Sequence, residues 1–228
     1  MQSLRESLAK ISVLDTLDAD SFERLQPHTL IKRYRKDEIV ISEGDCLSPQ
    51  LYALIEGSLQ VWKTAINGKE TLVRIIASGE IFAAPAIFGD GIAPATVRCQ
   101  TDSIVLTIER EALLETIRDQ PEVALRIIEV FNQRLQHLHN TLHGLISERA
   151  IVRIVRLIQY YANRYGTQAV EGGDCLNLHL PYAQIARSIG ITYEECLRLM
   201  KTIQSAVVYQ RGGKIIIKDW QKLEEIAS

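Results

Sequence analysis

The chain lacks any long unbroken apolar run. None reaches the roughly 18 residues that a membrane-spanning helix needs, so no membrane partner is expected. The N-terminus, MQSLRESLAKISVL, has no basic start followed by an apolar block, which argues against a secretory signal. Cysteine is sparse. Cys46, Cys99, Cys175 and Cys196 form no CxxC pair, so neither a disulfide framework nor a zinc or iron–sulfur ligand set is expected. Such thiols suit the reducing cytoplasm as small buried hydrophobes. Catalytic signatures are missing too. There is no nucleophile–base motif, no glycine-rich phosphate loop and no placeable pair of carboxylates. The chain is therefore not expected to be an enzyme.

Strong charge of one sign is also absent, the formal net charge being −2. The two parts of the chain differ, however. Residues 147–228 hold 11 Lys+Arg against 8 Asp+Glu, a balance of +3, and the remainder stands at −5. A modestly basic C-terminal part on an acidic body suits nucleic-acid binding through a few phosphate contacts. With 228 residues, 46% of them hydrophobic, the chain has room for one large or two modest cores.

The apolar periodicity changes along the chain. Residues 1–27 read as helical, anchored by Leu14, Leu17, Phe22 and Leu25. From Thr29 to Glu109 short β-rich runs alternate with turn residues such as Glu43-Gly44-Asp45, Glu56-Gly57, Asn67-Gly68 and Ser78-Gly79. That pattern predicts a small sandwich or barrel, a shape able to hold a small ligand. A short helix is expected over Glu109–Gln120, and Pro121 starts another. In that second helix Ile128, Phe131, Leu135, Leu138, Leu142 and Leu145 repeat at alternating spacings of three and four. The repeat predicts a dimer seam, although a helix packed on its own barrel needs a similar stripe. Arg134, His137, His139, Asn140 and His143 form its polar flanks, and Gly144 is the expected hinge before a helix over Glu148–Tyr165.

The stretch Leu180–Gln204 reads as two short helices joined by a tight turn. Ala183, Ile185, Ala186 and Ile189 give the first its buried side, and Gly190 supplies the positive φ of the turn. Thr192 is an N-cap, with Glu195 completing a capping-box pattern. Cys196, Leu199, Met200 and Ile203 then fall on one side, and Glu194, Leu197, Arg198 and Lys201 on the other. A glutamate can accept from cytosine N4, and an arginine can grip guanine O6 and N7. A solvated glutamate–arginine pair on an ordinary helical hairpin would show the same residues. The runs Ala206–Tyr209 and Lys214–Ile217 flank Arg211-Gly212-Gly213 as a β-hairpin wing, and Asp219 caps a last helix.

In order and spacing, these pieces resemble the cyclic-AMP receptor protein/FNR (Crp/Fnr) family of bacterial regulators over nearly the whole chain. The barrel pieces that carry the resemblance are Glu43-Gly44-Asp45, the run from Leu51 to Gly57, Gly79-Glu80-Ile81-Phe82 and Ala95-Thr96-Val97. The C-terminal pieces are Leu180-Pro181, Ile185-Ala186, Gly190, Thr192, Glu194, Arg198 and the run Ile215–Asp219. The resemblance implies an α+β fold. A cyclic-nucleotide-binding-like jelly-roll barrel would occupy residues 1–118, a dimerisation helix and hinge 119–146, and a winged helix-turn-helix 147–228.

It also implies a transcriptional regulator that binds a pseudo-palindromic operator in double-stranded DNA as a homodimer, with RNA polymerase as a further candidate partner. Glu194 and Arg198 match the family's base-reading pair, and Thr192 matches the start of the recognition helix. Tyr193 stands where the cyclic-AMP receptor protein has a further DNA-reading arginine. Leu197 stands where many members have serine or glycine, free either to touch a thymine methyl or to pack on the protein. Lys201 and Arg187 are candidate phosphate contacts. The effector site departs more sharply. Ala83-Ala84 replaces the second Gly-Glu of members that bind cyclic AMP, and Ala93-Pro94 replaces their arginine and its neighbour, so neither ribose nor phosphate finds its partner. Cyclic AMP is not expected. Ala83, Ala84, Pro85, Ala93, Pro94, Ala95, Thr96, Leu138 and His139 would instead line an apolar pocket. That pocket suits an uncharged organic effector, or haem with His139 as axial ligand, unless its own side chains fill it. The rival reading is an effector-binding module whose winged helix docks a protein.

Overall fold

Two strands in the first half carry apolar residues on both faces, and the surrounding elements are placed to cover both. The computed structural model describes residues 4–68 and 70–227, apart from the side chains of 145–147. The expected seam residue Leu145 thus lies outside the described side chains. The chain divides into two units, residues 1–134 and residues 135–228.

In the first unit β1 (Thr29–Tyr34), β8 (Ser103–Glu109), β3 (Gln50–Glu56) and β6 (Ile81–Phe82) form one antiparallel sheet in that order. Successive side chains of a strand point to opposite faces. Leu51, Ala53 and Ile55 of β3 therefore join Leu106 and Ile108 of β8 on one side, while Leu54 and Val105 turn to the other. Helices α1 (Leu4–Ala9), α2 (Ala19–Leu25), α4 (Arg110–Asp119) and the start of α5 (Glu122–Ser147) cover the first side, through Leu8, Phe22, Leu25, Leu113, Val123 and Ile127. A second sheet covers the other, in the order β2 (Ile39–Ile41), β7 (Thr96–Cys99), β4 (Ser58–Thr64), β5 (Glu70–Ala77), through Ile41, Val97, Leu59 and Ile76. The result is the double-sheet jelly-roll arrangement, with helices on the outer face of one sheet. The tight turn from β3 to β4 depends on Gly57, at φ 99°. A Cβ there would lie 2.5 Å from the Asp102 carbonyl oxygen.

The expected helical region before Thr29 is broken into α1 and α2, joined by turns over residues 10–18. All four expected anchors, Leu14, Leu17, Phe22 and Leu25, are nevertheless buried. Asp18 stops the second helix from fraying. Its carboxylate accepts the Ser21 N–H at 2.8 Å, and that hydrogen bond lowers its pKa.

Helix α5 has two apolar faces, not one. Val123 and Ile127 are buried in the first unit's core, and Phe131 is half-buried against it. Phe131 meets Phe88 edge-on at 6.0 Å. Leu125, Ile128, Leu135, Leu138 and Leu142 are all more than half exposed. Gly144 does not break the helix, which runs on to Ser147. The break falls at Glu148–Arg149, before α6 (Ala150–Tyr165). Gly144 is buried, and a Cβ on it would lie 3.0 Å from Glu148 Oε2.

In the second unit α6 is followed by a hairpin that sequence reading missed, β9 (Thr167–Val170) and β10 (Gly173–Leu176). It extends the wing strands, β11 (Val207–Gln210) and β12 (Lys214–Ile217), into a sheet of order β11-β12-β10-β9. Helices α7 (Tyr182–Ile189), α8 (Tyr193–Thr202) and α9 (Trp220–Ala227) complete the unit, whose core includes Ile154, Ile158, Leu180, Ile185, Cys196, Ile203, Ile215 and Leu223. Asp219 accepts the Lys222 N–H at 3.0 Å and so caps α9, as expected.

Two non-glycine residues of the barrel take a left-handed φ, Asp37 at 67° and Ala83 at 53°, and of the two alanine has no polar side chain to ease it. Ala83, between β6 and α3 (Pro85–Phe88), sits at φ 53°, a left-handed conformation that costs an L-residue about 1–2 kcal/mol. Ala83→Gly should raise the unfolding free energy by about 1 kcal/mol or slightly less, after allowance for the greater freedom of glycine in the unfolded chain. Urea denaturation measures this, and a glycine variant less stable than its parent would contradict the strain.

Candidate nucleic-acid interface and effector site

The second unit positions an exposed helix by burying its opposite side. Helix α7 ends at Gly190, whose left-handed φ of 72° lets the chain turn sharply into α8. The Thr192 hydroxyl accepts the Glu195 N–H at 3.1 Å and fixes the first turn. The capping box is only half formed, because the Glu195 carboxylate lies 4.0 Å from Arg198 instead of reaching back. Cys196, Leu199 and Met200 are buried beneath the helix. Burial pushes the Cys196 thiol up to about 11, so it behaves as an inert hydrophobe.

The outward side carries the expected residues. Thr192, Tyr193, Glu194, Arg198 and Lys201 are exposed, and Leu197 is half-buried. Arg198, its side chain 73% exposed, is held by nothing stronger than the long Glu195 contact, so it is free to reach a base edge. Arg187 of α7 is exposed, as a phosphate contact must be, and so are Arg211 and Lys214 of the wing, which sequence reading passed over. Ala183, expected on the buried side of α7, is exposed. Gln184 is buried in its place, one position of helical phase away.

Three tyrosines tie this region together. Tyr182 opens α7 and stacks on Tyr209 of β11, with ring centroids 3.7 Å apart and planes 17° apart. Tyr193, the first residue of α8, meets Tyr182 edge-on at 6.3 Å and 83°. Burial raises the pKa of both Tyr182 and Tyr209, keeping the phenols neutral. Sequence reading singled out only Tyr193, since the other two fall on elements distant along the chain.

The barrel positions are less alike than expected. Ala93 and Ala95 are buried, Ala83, Ala84, Pro85 and Thr96 are half-buried, and Pro94 is exposed. Ala93 is zipped to the preceding turn. Its N–H donates to the Asp45 carbonyl at 2.9 Å, and its carbonyl accepts the Gly44 N–H at 2.8 Å. The Thr96 hydroxyl accepts the Glu43 N–H at 3.0 Å, and Lys63 donates to the Pro94 carbonyl at 2.6 Å. Leu138 and His139, on α5 past residue 134, are exposed. Among the described residues no group of three or more His, Cys, Asp or Glu is arranged to hold a metal ion.

An ion cluster lies at the barrel's edge instead. Glu80, between β5 and β6, is buried, and its carboxylate stands 3.0 Å from Arg74 and 3.6 Å from Arg134. Arg134 also donates to the Ile81 carbonyl at 2.6 Å and lies over the Phe131 ring. Arg134 was expected as a polar flank of the seam, but it folds onto its own domain. Its partner Glu80 is remote in sequence, so periodicity alone gave no sign of the pairing.

Both units match known families. Residues 31–120 match the cyclic nucleotide-binding domain, and residues 152–226 match the Crp-like helix-turn-helix domain. The chain is 24% identical over 220 residues to a CRP-like cAMP-activated global transcriptional regulator of Mycobacterium tuberculosis, covering 96% of this chain and 97% of that protein. It is 24% identical to a cyclic AMP receptor protein of Thermus thermophilus, covering 85% and 86%. Among solved structures, FixK2 from Bradyrhizobium japonicum aligns with a TM-score of 0.74 at 18% identity, over 88% of this chain and 98% of that one. A mutant of CooA from Carboxydothermus hydrogenoformans aligns at 0.75 and 21% identity, over 89% of each. The barrel, the long helix and the winged helix-turn-helix, matched in order along the chain, make this protein a member of the Crp/Fnr family of DNA-binding transcriptional regulators.

Proposed function

We propose that this regulator works in the cytoplasm as a homodimer, reads a pseudo-palindromic operator through Glu194 and Arg198, and answers to an effector other than cyclic AMP. One observation carries the DNA reading. An exposed glutamate and an exposed arginine stand four residues apart on α8, on the side opposite Cys196, Leu199 and Met200. The dimer rests on Leu125, Ile128, Leu135, Leu138 and Leu142, an exposed apolar line along α5 that a second copy of the same helix would bury. Two-fold symmetry would then set the two recognition helices into successive major grooves, with half-sites about 34–36 Å apart. RNA polymerase is a natural further partner of such a complex.

The effector reading departs from the relatives named for cyclic AMP. Members that bind it hold its ribose with a glutamate and its phosphate with an arginine, and alanine occupies both positions here, at 84 and 93. Arg74 and Arg134 already face Glu80, so a phosphate drawn to them would have to compete with a buried carboxylate. The alanines and Pro85 suit an uncharged organic ligand better than an anion.

Selection of random DNA by the purified protein should enrich a palindrome with a G·C pair in each half-site. Arg198→Ala should then weaken binding by about 1–3 kcal/mol per half-site and relax that position. Equal affinity for parent and variant would remove Arg198 from the interface. Calorimetric titration with cyclic AMP should show no binding in the micromolar range, and a micromolar dissociation constant would overturn the effector reading.

A further inference from the structure

We propose that Tyr193 is a specificity-determining residue that reads the methyl group of one thymine beside the pair contacted by Glu194 and Arg198, and that Tyr182 and Tyr209 position it. The proposal rests on the DNA-binding reading above and adds the base that the flank of the half-site must carry.

Tyr193 is the first residue of α8, directly after the Thr192 cap. The N-terminal residues of a recognition helix are those that reach base edges. Tyr193 is 47% exposed, so it has surface to offer a partner. It is nonetheless held in place. Its ring and that of Tyr182 meet edge to face, and Tyr182 in turn stacks on Tyr209. The three rings belong to α7, α8 and β11, so both helices of the motif and the wing fix one exposed side chain. An aromatic ring fixed in advance contributes contact area at little further entropic cost.

Chemistry narrows what such a ring can select. It offers an apolar surface and one phenol, not the forked donors that grip guanine. Thymine is the only standard DNA base that presents an apolar group, its C5 methyl, in the major groove. Hydrogen bonding to the neighbouring pair is left to Glu194, the next residue along α8, and Arg198, one turn beyond Glu194, both exposed. A phenol on the groove wall could instead donate to a phosphate, which would add affinity without sequence preference. The test separates the two.

The probe is the operator recovered by selection, with each thymine replaced singly by deoxyuridine, which removes only the methyl. Affinity is measured at one salt concentration. One flanking thymine per half-site should show a 3- to 10-fold loss with the parent protein. Tyr193→Ala should bind the thymine and uracil operators equally, whereas Tyr193→Phe should keep the difference. Tyr182→Ala and Tyr209→Ala should shrink that ratio while leaving the requirement for the neighbouring G·C pair, as positioning residues must. A loss at uracil that persists in Tyr193→Ala assigns the methyl to another side chain, Leu197 included, and overturns the proposal. So does a flat uracil series with Tyr193→Phe as weak as Tyr193→Ala, which is the signature of a phosphate contact. If no sequence is enriched at all, the DNA-binding reading fails first. Enrichment with a flat uracil series overturns only the role of Tyr193.

Discussion

The burial of one side of α8 is the constraint from which the functional surface follows. Cys196, Leu199 and Met200 lie against the core of the second unit, and Ile203 closes the helix behind them. Each large apolar side chain placed there contributes about 1.5–3 kcal/mol relative to exposure. Rotating the helix would expose that set, so burial alone already decides which residues face outward. Gly190 and Thr192 set where the helix begins, and therefore which residue comes first on the outward side. Glu194 and Arg198 need no partner in the free protein, and the structure gives Arg198 only a long contact with Glu195.

The first unit follows the opposite logic. Its central strands are covered on both faces, and its buried carboxylate, Glu80, is paired. Glu80 sits between two arginines at the edge of the barrel, and Arg134 brings the charge from the helix that also carries the exposed apolar line. The barrel and the beginning of α5 are thereby joined by both an apolar core and an ion cluster. A disturbance of the β5–β6 region would reach this cluster, which is a physical route by which that region and the start of α5 can influence each other within the unit.

Much of this was legible in the sequence. The strands from β1 to β8, β6 apart, announced themselves through short β-rich runs between turn residues, and α7–Gly190–α8 through helical spacing around one glycine. What the sequence hid was long-range or short-lived along the chain. Strand β6 and helix α3 span two and four residues, too few to display a period. The β9–β10 hairpin is polar at its start and lacks a clear alternation. The seam on α5 was read as one stripe, yet the helix has a buried line through Val123 and Ile127 and an exposed one through Leu125 and Leu138, because the barrel takes one side for itself. Arg134 looked like a solvated flank until Glu80 was brought beneath it. Ala183 and Gln184 exchanged places by a single step of helical phase. Tyr182 and Tyr209 were invisible as a pair, since only the folded wing brings them together.

The central claim is that α8 reads base edges through Arg198. The direct test is a double-mutant cycle on the selected operator, crossing Arg198→Ala with 7-deazaguanine at the half-site guanine, which deletes the N7 acceptor and little else. The account predicts that the modified base weakens the parent protein but costs the Arg198→Ala variant almost nothing, so the two losses do not add. Fully additive losses would show that the arginine and that guanine never meet, and would contradict the account.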